Sequence, residues 1–134
     1  YYLELLKARE GEKPILSLMP TPGDVDIVIA AELMEAGRSV IRGLVTPDKT
    51  LLIASTHRSY AVGEKEKPGD GIGDPTVVVD ATDFAAKKTI AFDMDTLAVK
   101  NGSVVSSALF GALAASKALP FSKDVFEETI KSSR

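Results

Sequence analysis

The chain has 134 residues, of which 45% are apolar and none is cysteine, and 16 basic and 19 acidic side chains leave a formal net charge of −3. That length supports one hydrophobic core, burying roughly two-thirds of the unfolded surface, and the dispersed charges leave no basic stripe that would track nucleic acid. Without a thiol, the chain has no ligands for an iron–sulfur cluster or a cysteine zinc site and no disulfide framework.

Tyr1–Leu6 is an aromatic and aliphatic strand candidate, closed by the charged turn Arg9-Glu10-Gly11-Glu12-Lys13 and expected to return as a hairpin over Pro14–Met19. The break Pro20-Thr21-Pro22-Gly23 precedes Val25–Ala30, a near-continuous apolar run of the kind carried by strands buried on both faces. So short a link cannot make a parallel crossover, so a strand at Pro14–Met19 beside its successor would be antiparallel and the sheet mixed. From Ala31 the apolar spacing becomes helical through Leu33, Met34, Gly37, Val40, Ile41 and Leu44. Leu51–Ser55 returns to strand, completing a strand–helix–strand crossover unit with parallel strands.

The polar loop Gly63–Gly73 is longer than most connections in a compact domain. Its three valines give Thr76–Val79 strand propensity, but Asp74 before Pro75 is a helix start, and the spacing predicts a helix over Pro75–Lys88. Ile90–Phe92 follows as strand, then a short helix over Thr96–Lys100 capped by Asp93 or Asp95 and stopped at Asn101-Gly102. Ser103 is expected to cap a helix over Val104–Ala118, whose Gly111 and alanines suit close approach of another backbone; Pro120 ends it. Ser122 then caps the last helix, with Phe121 placed to staple onto Phe126. The alternation predicts an α/β, three-layer, Rossmann-like domain over residues 1–134, with a mixed, largely parallel sheet.

The longest uncharged run, Asn101–Ser116, falls short of the roughly 20 residues a bilayer span needs. No membrane contact is expected, and the chain reads as a soluble, cytoplasmic protein. It opens on Tyr1-Tyr2-Leu3 without methionine, basic segment or cleavage site, which reads as an excised piece.

The chemistry-bearing residues are few. His57, the one histidine, follows the strand Leu51–Ser55 with Thr56 and Arg58 beside it. Ligands in crossover sheets collect outside the carboxyl ends of the strands, so this group is a candidate for a nucleotide-like phosphate or for a neighbouring subunit. A loop histidine bonded only to backbone is the commoner arrangement. Asp93 and Asp95 end the next parallel strand on the same rim, where they would orient His57 or hold a cation, although capping accounts for one of them and two carboxylates are too few for a metal cage. The run Gly69-Asp70-Gly71-Ile72-Gly73-Asp74 lacks the Lys-Ser/Thr of a phosphate loop and reads as a turn. Glu64-Lys65-Glu66-Lys67 reads as solvated loop, and Tyr1, Tyr2 and Leu5 read as core, any exposed remnant marking a subunit interface.

Four segments carry a family resemblance: PTPGDVDIVIAAELMEAGR, RGLVTPDKTLLIASTHRSYAVGEK, IAFDMDTLA and ALFGALAASKALPFSKDVFEETI. Together they resemble the gamma-type domain of 2-oxoacid:ferredoxin oxidoreductases, most nearly the beta subunit of indolepyruvate ferredoxin oxidoreductase. The likeness runs through nearly the whole chain. It departs at the front, where the family's Gly-rich strand–turn–helix and a Gln-Arg segment are absent from this sequence.

The resemblance implies a subunit or domain of an enzyme that converts a 2-oxo acid and coenzyme A to acyl-CoA and carbon dioxide, with electrons passing to ferredoxin. Thiamine diphosphate and iron–sulfur clusters would sit on partner domains, foremost a thiamine-bearing alpha subunit. This chain would bind none of them, would carry no catalytic residue or metal, and would have no activity alone. It would pack in a homo- or hetero-oligomer and face coenzyme A as a cosubstrate. Two alternatives stand beside this: a stand-alone module for a nucleotide-like ligand, and a purely structural assembly domain.

Overall fold

The computed structural model describes residues 1–7, 10–11, 13–60, 62–69 and 74–133. In chain order the elements are β1 (Ile27–Ala30), α1 (Leu33–Ile41), β2 (Leu51–Ser55), α2 (Val62–Lys65), α3 (Pro75–Ala85), β3 (Lys88–Phe92), α4 (Met94–Lys100), α5 (Val105–Ser116) and α6 (Lys123–Ser132). The strands form one sheet in the order β1-β2-β3, parallel throughout, with Ile27 opposite Leu51 and Leu51 opposite Lys88.

Strand alternation sorts β2 onto two cores. Leu52 and Ala54 pack with Ala30, Ala36, Val45 and Ala86 under α1 and α3. Ile53 packs with Met94 and Leu109 under α4 and α5. Helices therefore cover both faces, and the architecture is α/β and Rossmann-like. Thr50, fully buried just before β2, ties the layers together: its hydroxyl donates to the Val25 carbonyl at 2.8 Å and accepts from the Thr46 N–H at 3.0 Å.

The expected antiparallel hairpin is not part of the sheet. Tyr1–Leu6 and Pro14–Met19 hold no strand; the Ser17 N–H reaches the Glu4 carboxylate at 3.0 Å, a side-chain tie where a ladder was expected. The sheet is consequently parallel and not mixed among the described residues. At the Pro20–Gly23 break neither proline has an N–H to give to a ladder, and the Gly23 N–H is taken by the Gly43 carbonyl at 2.8 Å. Arg9 and Glu12 of the predicted turn lie outside the described residues. Tyr1, Tyr2 and Leu5, expected in the core, are exposed.

Element ends shift where hydrogen bonds compete. α1 stops at Ile41 because Gly43, at φ +71°, lets the Leu44 N–H return to the Ser39 carbonyl at 3.0 Å. α3 ends at Ala85, since the Lys87 and Lys88 N–H groups are drawn to the Thr50 carbonyl at the start of β3. Ser103 does not cap α5: its N–H closes α4 onto the Ala98 carbonyl at 2.9 Å, and Val104 stands at the cap without a side-chain bond. α5 ends at Ser116, before left-handed Lys117. The staple before α6 forms as expected, with the Phe121 and Phe126 rings edge to face at 6.4 Å, and Ser122 holds the cap position without a side-chain bond.

Among the described residues no single helix is long and apolar enough to cross a membrane. The pair α4 and α5 reaches that length and apolarity together but bends by 112° between its halves, and both helices pack on the sheet.

Candidate functional site: the carboxyl rim of the sheet

The ends of β2 and β3 bring two distant stretches of sequence together. Ser55, the last residue of β2, is fully buried, and its hydroxyl accepts the N–H of His57 at 3.3 Å and of Met94 at 3.2 Å. One oxygen thus sets both the turn that carries His57 and the start of α4, and the Thr56 N–H adds a bond to the Phe92 carbonyl at 3.0 Å. The result places His57 Nδ1 3.7 Å from Asp95 Oδ2, with both side chains partly exposed at the rim. The expectation that crossover geometry would gather His57 with the carboxylates of the next strand is met by Asp95.

Asp93 serves differently. Its carboxylate accepts from the Thr96 N–H at 2.9 Å and the Thr96 hydroxyl at 2.7 Å, capping α4. Those bonds, the backbone N–H foremost, hold its carboxyl below the ordinary range, with the nearby imidazole a minor contributor. Asp74 caps α3 through Thr76 in the same way, and the Thr76 hydroxyl and N–H lower its carboxyl too.

Arg58 turns inward from the rim. Its guanidinium pairs with Glu64 of α2 and lies over the Tyr60 ring at 5.3 Å from the centroid, the two charged side chains being 12% and 15% exposed. Glu64, read from sequence as part of a solvated charge run, is therefore the carboxylate that engages the arginine fork. Glu32 is a second participant that the sequence did not single out: one of its oxygens accepts from the Glu35 N–H to cap α1, and the other accepts from the Ser59 N–H at 3.2 Å. With the Leu33 N–H bonded to the His57 carbonyl at 3.0 Å, the His57–Ser59 turn is fastened to the first helix.

Of the five residues expected at the rim, then, His57 and Asp95 face each other, Asp93 caps, Arg58 is engaged by Glu64 and Tyr60, and Thr56 is half-buried in the turn. Among the described residues no three His, Cys, Asp or Glu side chains converge as metal ligands. Of the glycine-rich run, residues 70–73 lie outside the described residues.

No family model, curated protein or solved structure matches the chain.

The arrangement offers an imidazole beside a carboxylate on a rigid strand end. Such a pair leaves both side chains partly open at the rim, suiting it to a hydrogen-bonding group presented from outside.

Proposed function

We propose that this chain is a component of a 2-oxoacid ferredoxin oxidoreductase, nearest the indolepyruvate type, that supports coenzyme A-dependent oxidative decarboxylation carried out with thiamine- and iron–sulfur-bearing partner chains. One observation carries the reading: two segments of the resemblance, LLIASTHRSY and IAFDMDTLA, far apart in sequence, meet at one rim with His57 Nδ1 3.7 Å from Asp95. In this role His57 and Asp95 contact coenzyme A or the partner's surface, and Ser55 holds them in register. The chemistry of decarboxylation and electron transfer belongs to the groups on the partner.

The engagement of Arg58 by Glu64 supports a second reading, in which the rim is a brace for assembly and touches no ligand. Reconstitution separates the readings. The chain should co-purify with a thiamine- and cluster-bearing chain, and 2-oxo acid turnover should require both. If the rim faces coenzyme A, His57→Ala should weaken saturable coenzyme A binding about tenfold or more while leaving the complex intact. Unchanged binding would favour the brace. Failure to associate with such a partner, or turnover by this chain alone, overturns the proposal.

A further inference from the structure

α1 starts on a residue that helix starts do not favour. Glu32 holds the cap position with extended backbone, φ −151° and ψ 147°, and Oε2 of its carboxylate accepts the Glu35 N–H at 3.1 Å. Ser, Thr, Asp and Asn are preferred there, because their short side chains reach back to the first turn with fewer torsions to fix. The side-chain caps of α3 and α4 follow that preference and are both aspartates. A local rule is broken most readily where a second requirement acts on the same residue.

The second requirement lies on the other oxygen. Glu32 Oε1 accepts the Ser59 N–H at 3.2 Å, from a residue 27 positions further along the chain. The N–H of buried Leu33, a donor left without a partner inside its own helix, bonds to the His57 carbonyl at 3.0 Å. The start of α1 is thus tied to the rim turn at two points, on either side of Arg58. His57 is held at both ends of its own backbone, by Ser55 at the N–H and by Leu33 at the carbonyl. Residues 56–60 belong to no strand or helix, so ties of this kind set the path of the turn.

We infer that Glu32 is a positioning residue of the carboxyl rim: it caps α1 with one oxygen and with the other holds the His57–Ser59 turn, and through that backbone the facing of His57 and Asp95. The glutamate side chain is one methylene longer than aspartate, and that length lets a single carboxylate serve its own helix and the turn together. Aspartate would cap α1 at least as well and leave Ser59 unheld. The effect of Glu32 on coenzyme A rests on the role proposed above for the rim, whereas its hold on the turn can be read without any ligand.

His57 is the one histidine of the sequence, so its ring gives a single NMR signal that needs no assignment. In the parent chain the Ser59 amide should exchange with solvent at least about tenfold more slowly than an unbonded loop amide, although the residue is exposed. Glu32→Asp should abolish that protection and shift the His57 ring signal, while its urea midpoint stays above that of Glu32→Ala because α1 remains capped. Where the parent binds coenzyme A, Glu32→Asp should weaken binding about threefold or more, since the ligand must then order the turn. A parent Ser59 amide that exchanges like free chain overturns the proposal without any substitution. So does a Glu32→Asp chain whose ring signal and Ser59 exchange match the parent's, and so does one that frees the turn yet binds coenzyme A as before. If the parent binds no coenzyme A, the role proposed for the rim fails, and Ser59 exchange together with the ring signal decides for or against Glu32.

Discussion

A single buried hydroxyl does more to shape the rim than the charged residues around it. Ser55 accepts two backbone N–H groups, one from the turn at His57 and one from the start of α4, and the Met94 bond is buried. Replacing it with alanine removes both bonds and strands the buried Met94 donor, so Ser55→Ala should lower the unfolding free energy by about 1–3 kcal/mol in urea titration. Thr56→Ala should cost less, because the bond at that position comes from its backbone N–H to Phe92 and not from the side chain. His57 was legible in the sequence because it is the only histidine and follows an apolar strand. Ser55 was not, since a serine at a strand end has the same appearance whether its oxygen faces water or two amides. Glu64 was hidden for a similar reason: in a run of alternating charges, nothing local marks the one carboxylate that an arginine six residues earlier will draw inward.

Helix ends and helix crossings were more readable, and their failures are instructive. Asp74-Pro75 and Asp93 announced two helix starts that the structure has, because capping is settled within one turn of chain. Ser103 failed as a cap because its backbone was already committed to closing α4, a competition visible only once both helices are placed. The two aspartate caps make the protein acid-sensitive in a definite direction. Their carboxyls are lowered from an ordinary value of 3.8 by bonds from Thr96 and Thr76. Their contribution is therefore complete above the unfolded-chain value and is lost as pH falls through the lower folded values. Changing both to asparagine keeps the acceptors but removes the titration; the urea midpoint should stay near its neutral value and lose less between about pH 6 and pH 2 than the parent does. Gly37, counted in the sequence as one position of the α1 stripe, proves to be a crossing point: an added Cβ would stand 2.9 Å from Val78 Cγ1 on α3. Alanine there improves helix propensity by about 1 kcal/mol, but overpacking against a stiff branched side chain costs about 1–3 kcal/mol. Gly37→Ala should therefore destabilise on balance, and Gly37→Ala combined with Val78→Ala should recover part of the loss in a double-mutant cycle.

At the scale of the whole molecule, the alternation of strand and helix was enough to give the layers, because each turn of hydrophobic period is local. What surrounds the sheet was not, since Tyr1–Leu6 has strand propensity whether or not it joins a sheet. Ile27–Ala30 likewise reads as buried on both faces, and the structure leaves one side of it open.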